Sequence, residues 1–197
     1  MLYKRLTAKI IPIFKFGDSN STVNYLPLSM LPFLSKIFEK LMCARLDFYP
    51  KSNNILCTNQ FSKAFDIVNH NILMSKILHN GVSGVMQHWF ESYFSNMRQY
   101  VPIKNCSSTI SNIKLGVPQG LVLGPVHFLL YINDVYRSSS QMRFVHFADD
   151  TTVFASDSDI NNVHANVNRE LVSVDNWLKA IRLSLNVSKN YYILISN

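Results

Sequence analysis

Two rhythms of apolar and polar residues run along the chain, one stepping by three or four and one by two, and they divide it into helices and strands. The clearest helical stretch covers 159–182. There Ile160, Val163, Val167, Leu171, Val174, Leu178 and Ile181 share a face, and Asp157 and Asp159 stand at the positive end. A second stripe, Leu31, Leu34, Ile37, Phe38, Leu41 and Leu46, predicts an amphipathic packing helix over 28–46, with Lys36, Lys40 and Arg45 on its other faces. Ile72, Leu73, Ile77 and Leu78 predict a short helix over 69–79 that stops at Asn80-Gly81, and Ser83 opens another that runs to Phe94, so the two form a helical hairpin. Residues 122–136 are apolar almost all round, which suits a buried helix.

The strand signals are shorter. Residues 9–15 predict a strand that Pro12 confines to a sheet edge, followed by a turn over 17–22. Weak alternation over 54–61 predicts another strand. Segments 99–103 and 109–113 flank a polar loop as a hairpin, and a glycine and proline turn occupies 115–120. Residues 142–147 and 151–154 form a second hairpin with Ala148, Asp149 and Asp150 between its strands, and 191–195 predicts a closing strand.

Composition narrows the class. Of 197 residues, 48% are hydrophobic and 16% charged, enough apolar surface to exclude wholesale disorder and a length suited to one domain. Lys and Arg outnumber Asp and Glu by 19 to 12, a formal charge of +7 that favours polyanionic partners. The cations are scattered, so any nucleic-acid face must be assembled by folding. Cys43, Cys57 and Cys106 have no metal-ligand spacing and fit reduced, partly buried thiols. No leader is indicated, and the longest apolar stretch, 121–132, is interrupted by Gly124, Pro125 and His127, too short to span a bilayer. A soluble intracellular protein is expected.

Two places can carry chemistry. Asp149 and Asp150 are adjacent carboxylates that repel unless a cation or solvent neutralises them. A Mg²⁺ ion takes one or two protein carboxylates with substrate phosphates, although a solvated turn explains the same dipeptide. A two-metal phosphoryl-transfer centre needs a further carboxylate from elsewhere in the chain. The turn at Gly116 to Gly120 lets backbone approach a ligand closely, with Gln119 offering a donor and an acceptor, although a plain connecting turn fits equally.

The ordered set of segments is more specific than either place alone. KIIPIFKFGDSNSTVNYLPLSMLPFLSKIFEKLM, SKAFDIVNHNILMSKI, WFESYFSNMRQYV, GVPQGLVLGPVHFLLYIND, FADDT and WLKAIRLSLNVSKN follow one another from about Lys9 to the end. In this order they resemble the reverse transcriptase domain of non-LTR retrotransposons, particularly the jockey-like and related LINE elements. The resemblance implies an α+β fold, a palm-and-fingers polymerase-like domain with an antiparallel palm sheet packed on helices. The chain is expected to be a single partial domain, 1–61 being fingers-like and 62–197 palm-like. It further implies primer extension by two-metal nucleotidyl transfer with two Mg²⁺ ions, Mn²⁺ being a substitute, on an RNA template with a DNA primer and dNTPs. Asp149 and Asp150 fall on the metal-binding pair, and Lys189 on the lysine that assists pyrophosphate departure. Phe65, with Ala64 beside it, falls on the aromatic residue under the incoming sugar. Gln119 and Gly120 fall on the turn that contacts nucleotide and template.

Departures from the family pattern set the expectation for activity. Four positions before Ala64 the family carries an aspartate that bridges both ions, and here the residue is Gln60. A neutral amide supplies no anionic bridging oxygen, so severe impairment is expected. Thr58-Asn59-Gln60-Phe61 resembles an upstream motif joined directly to Ser62, as though a stretch of fingers and the first palm strand were missing. Asp66 sits where a helix opens and is expected to serve as its N-cap rather than as a substitute ligand. Leu26, Leu121 and Asn190 replace arginine, serine and a hydroxyl residue, and no thumb follows Lys189, which weakens the expected template and primer contacts. The competing expectations are a non-catalytic basic RNA- or DNA-binding remnant and an unstable product.

Overall fold

Pro12 and Pro27 lack a backbone donor, so each fits a sheet only where no ladder hydrogen bond is required of it. The register meets that condition. In the computed structural model, which describes residues 6–46, 65–147, 150–185 and 192–193, β1 (Leu6–Phe14) and β2 (Tyr25–Met30) pair antiparallel with Pro12 opposite Pro27. The two prolines thus share one non-hydrogen-bonded pair. The alternation then turns the Ser29 N–H, opposite Ile10, away from β1, and it donates to the Gln119 carbonyl at 2.8 Å.

β1 is not the edge strand that Pro12 suggests. Over Leu6–Lys9 it also pairs in parallel with β3 (Met97–Tyr100), and beyond that, where Pro12 lies, its second side pairs with no strand among the described residues. β3 in turn pairs antiparallel with β6 (Ser111–Asn112), giving the order β2-β1-β3-β6, a mixed sheet assembled from strands on both sides of residue 61. The predicted hairpin around the polar loop is present as β3 with β6 and, nested within it, β4 (Pro102–Ile103) with β5 (Cys106–Ser107).

The helix predicted over 28–46 begins five residues later. Leu28 belongs to β2, and α1 spans Phe33–Leu46 after Pro32. Its apolar stripe also faces the unexpected way. Leu34 is 67% and Leu41 57% exposed, whereas Glu39, at 1%, is among the most buried side chains of the molecule. The next two helices match expectation closely. α2 (His70–His79) is capped by Asn69, whose side chain accepts from the N–H groups of Asn71 and Ile72, and it ends at Gly81 with φ +89°. α3 (Val85–Ser95) begins after Gly84 rather than at Ser83.

α4 (Gly124–Ile132) buries His127, Phe128, Leu130, Tyr131 and Ile132, as the all-round apolar pattern requires. β7 (Arg143–Phe147) and β8 (Asp150–Phe154) form the second hairpin, and α5 (Ile160–Ala180), capped by Asp159, packs Val174 and Leu178 into the core. The strand predicted over 54–61 lies outside the described residues. Of the closing segment only Tyr192 and Ile193 are described; both are exposed and in no strand. Of the cysteines, Cys43 is half-buried and Cys106, contrary to expectation, is exposed.

The core is where α2, α3 and α4 meet the underside of the sheet: Leu73 and Ile77, Phe90, Tyr93 and Phe94, Phe128 and Tyr131, against Ala8, Ile10 and Met97. α5 is fastened to it by polar links as well as packing. The Tyr131 hydroxyl donates to the Ile181 carbonyl. Lys76 pairs with Asp134 and lies over the rings of Tyr131 and Trp177, at 5.5 and 4.9 Å from their centroids. Burial lowers the pKa of this ammonium, and Asp134 offsets part of that cost. No helix among the described residues is long and apolar enough to cross a membrane.

Candidate functional site

The turn at 115–120 is bound to the turn at 65–68 first through the backbone. The N–H groups of Gly116 and Val117 donate to the carbonyls of Val68 and Phe65 at 2.8 and 2.6 Å, and Asn69 and Leu115 form an isolated antiparallel bridge. His70 completes the clamp: its Nε2 bonds the Gly116 carbonyl at 2.7 Å, which makes Nε2 the protonated nitrogen. Burial lowers the pKa of His70 and this bond opposes the shift. Gly116 has φ +86°, and a Cβ there would stand 2.7 Å from the carbonyl oxygen of Asp66. Only glycine allows the two turns to approach this closely.

The clamp gathers the sequence-predicted residues Phe65, Gln119 and Gly120 at one cleft of about 380 Å³, whose walls also include Pro118, Leu121, Val122 and Pro125. Phe65 leans on Phe128 of α4, ring centroids 5.3 Å apart, so its ring is held from behind. Gly120, at φ +87°, passes over β2, where a Cβ would meet Leu28 Cδ1 at 2.5 Å. The Gln119 carbonyl takes the Ser29 N–H, and its side-chain amide donates to Asp66 Oδ1 at 3.3 Å. The N-cap expected of Asp66 is therefore supplied by Asn69 instead, and Asp66 orients Gln119.

Glu39 holds the other end of the turn, and nothing in the apolar periodicity marked it. The Tyr93 hydroxyl donates to Oε1 at 2.6 Å and the Val122 N–H to Oε2 at 3.0 Å. Leu123, the N-cap of α4, has no side-chain acceptor, so a carboxylate from α1 takes over at the positive end of α4. Burial raises the pKa of Glu39, while the bonds from Tyr93, Val122 and Leu123 pull it back. Glu39→Ala is expected to lower stability by about 2–3 kcal/mol through the orphaned N–H groups and hydroxyl, and Glu39→Gln by about half that, because an amide oxygen still accepts. Urea unfolding of the two variants, with unchanged m-values, measures the difference.

The remaining sequence-predicted residues are not brought to the cleft by anything described. Asp150 opens β8 opposite Phe147, in the strand rather than in the connecting turn. Asp149, Ala64, Lys189 and Gln60 lie outside the described residues. Among the described residues no three His, Cys, Asp or Glu side chains stand together as a metal site.

Comparison with known proteins bears on this geometry. The reverse transcriptase (RNA-dependent DNA polymerase) family profile matches residues 49–194. The chain is 24% identical over 225 aligned residues to a probable RNA-directed DNA polymerase from transposon BS of Drosophila melanogaster, covering 92% of this chain and 25% of that protein. It is 23% identical over 237 to the RNA-directed DNA polymerase from mobile element jockey of Drosophila funebris, covering 98% and 26%. The chain thus spans about a quarter of the length of the curated relatives it matches. Both aligned spans exceed 197 residues, so each alignment opens gaps in this chain. In fold it is similar to telomerase from Candida albicans, solved in complex with a fragment of telomeric RNA, at a TM-score of 0.63 and 13% identity, covering 94% of this chain and 41% of that one.

Proposed function

Since the chain belongs to the reverse transcriptase (RNA-dependent DNA polymerase) family, we propose that it is a piece of a jockey-like retrotransposon polymerase that keeps the nucleotide-facing cleft of its relatives and has lost nucleotidyl transfer. The observation that carries the first half is the backbone clamp between the turns at 65–68 and 115–120, which holds Phe65 beneath and Gln119 beside one cleft. In this reading Phe65 lies under the sugar of an incoming nucleotide, Gln119 and Gly120 meet the nucleotide and its template, and Ala64 flanks the ring. Asp66 fixes which end of the Gln119 amide faces the cleft, because the nitrogen is already committed to a carboxylate.

The second half rests on the donor set. Two divalent ions side by side are stabilised by anionic oxygens shared between them, and they supply charge neutralisation at the transferring phosphoryl group when bound. Asp149 and Asp150 are acidic, but the position that the family resemblance assigns to the bridging aspartate carries Gln60. Asp66, the carboxylate nearest to Gln60 along the chain, has Oδ1 engaged by Gln119. The chain's own groups therefore do not fit a pair of Mg²⁺ or Mn²⁺ ions. Both alignments run longer than this chain, which supports a lost segment, and the motif order of the family reading assigns it to the stretch before Ser62. Lys189, matched to the lysine on the leaving-group side, has no reaction to assist without those ions.

Primer extension by the full chain on an RNA template with dNTPs, in Mg²⁺ and separately in Mn²⁺, tests this. The expected result is no incorporation above a no-protein control. Incorporation that disappears in Asp149→Asn would show that the acidic pair suffices and would overturn the proposal.

A further inference from the structure

Burial along α5 stops partway. Its apolar stripe runs the length of the helix, but only Val174 and Leu178, toward the C-terminal end, are buried. Toward the N-terminus, on the same face, Val163 and Val167 are half-buried and Ile160 and Leu171 are exposed. On α1 the uncovered stripe is fuller. Phe33 is 75% exposed, and with Leu34, Ile37 and Leu41, all exposed, it falls within an arc of about 100°. Apolar side chains exposed singly are ordinary, whereas four on one helix face form a patch of the kind that receives a partner.

The two stripes differ in charge. Lys36 and Lys40 run along one border of the α1 stripe, and the one acid of that helix, Glu39, is buried. Asp157 and Asp159 stand exposed where the α5 stripe begins. Among the described residues neither these lysines nor these aspartates form an ion pair. The same asymmetry runs through the sequence around them: residues 1–46 carry seven Lys and Arg against two Asp and Glu, and residues 149–175 carry one against six. The stripes also match in length, about 12 Å from Phe33 to Leu41 and about 16 Å from Ile160 to Leu171. Two copies of the α1 stripe would bring together only cations, and two copies of the start of α5 almost only anions. Each stripe is therefore complementary to the other and not to itself.

We propose that the two stripes bind each other between copies of this chain, α1 of one copy lying antiparallel against the N-terminal half of α5 of the next. That alignment sets Ile160 beside Leu41 and Leu171 beside Leu34, and it brings Asp157 and Asp159 to Lys40. It also opposes the two helix dipoles. The contact joins two different surfaces and is heterologous. Half a helix against half a helix stays below about 1,200 Å², the range of transient interfaces, so a dissociation constant on the order of 10–100 µM is expected. The cleft takes no part in it.

Sedimentation velocity of the full chain between about 10 and 500 µM tests this, and the parent mass is expected to rise with concentration. Leu34→Gln with Leu41→Gln, and separately Ile160→Gln with Leu171→Gln, should each leave a monomer whose far-UV circular dichroism matches the parent. Mixed in equal amounts, the two variants should form a species of two chains, because each retains the stripe that the other lacks. Charge reversal tests the alignment without touching the apolar residues. Lys40→Glu or Asp157→Lys alone should weaken association by about 2- to 5-fold, and the two reversals in one chain should recover it. A parent that stays monomeric at about 500 µM would overturn the proposal. So would association that survives in both glutamine variants, a mixture of the two that stays monomeric, or a double reversal that recovers nothing. A monomeric parent that instead co-sediments with phosphatidylserine vesicles would overturn it in favour of a lipid surface for α1.

Discussion

Gly116→Ala is expected to lower the melting temperature by roughly 6–12 °C, the equivalent of about 3 kcal/mol for a chain of this length. Two costs combine. An alanine at φ +86° occupies the left-handed region, worth about 1 kcal/mol on its own. The added Cβ would then stand 2.7 Å from the Asp66 carbonyl oxygen and 2.9 Å from that of Phe65. Both atoms are backbone in a segment that receives the N–H groups of Gly116 and Val117, so they cannot move aside without giving up the bonds that join the turns. Gly84→Ala separates the two costs. Gly84 has φ +64° with ψ −131°, a conformation that side-chain-bearing residues rarely adopt, but nothing within 4 Å of the place a Cβ would take, so only a backbone cost of about 1–2 kcal/mol applies and the loss should be about 2–8 °C. Calorimetry of both variants decides the matter: equal losses would mean that the contact between the turns adds nothing. Gly116→Ala should also loosen Phe65 and Gln119, read as faster hydrogen exchange at residue 116 and Val117.

This clamp marks the boundary between what the residue pattern discloses and what it does not. Features set by local chemistry were legible: the Gly81 stop of α2, the three- and four-residue steps of α5, the alternation of β7 and β8, and the Gly-Pro-Gly turn at 116–120. Features set by partners far along the chain were not. The apolar run from Leu26 to Leu34 satisfies both periods, because Leu26, Leu28 and Met30 step by two while Leu28, Leu31 and Leu34 step by three. The choice of strand up to Met30 comes from pairing with β1 and from the Ser29 bond to Gln119. Asp66 and Asn69 are equally good caps by residue type, and the attachment of the first to Gln119 decides between them.

Buried polar groups were the least visible of all. Glu39 sits in a helix whose apolar stripe faces outward, and its acceptor role depends on Tyr93 and Val122, 54 and 83 residues away. Its signal in the sequence is a single carboxylate one residue after Phe38 and three before Met42, which only a count of unpaired donors at the start of α4 would have picked out. The family resemblance, by contrast, named Phe65, Gln119 and Gly120 directly, and those three do line one cleft. Physical reasoning from the residues alone left that turn open as a plain connection, since a glycine turn carries no record of what it approaches.

His127 leads to the second large effect, an acid limb in the stability curve. Its imidazole is buried among the rings of Phe90, Tyr93 and Phe94, with centroids 5.6, 5.8 and 5.1 Å away, and its Nε2 has no hydrogen-bond partner among the described residues. Burial first, and the neighbouring His70 second, hold its pKa down at about 3, against 6.5 for an ordinary histidine. The depressed value means that between these two points the unfolded chain binds a proton the folded chain refuses. Stability is therefore full above pH 6.5 and declines as the pH falls toward 3, by about 1.4 kcal/mol per unit and roughly 4 kcal/mol in total. His127→Leu fills a similar volume without a titrating nitrogen. It should raise stability at neutral pH by about 1 kcal/mol, since no polar atom is left unpaired. It should also remove most of the decline between pH 6 and 4, leaving the smaller share that belongs to His70, whose pKa is lowered in the same direction. Urea midpoints measured across that range for the two proteins provide the comparison. Parallel curves would mean that His127 takes its proton while still folded, which its place within the aromatic cluster does not allow.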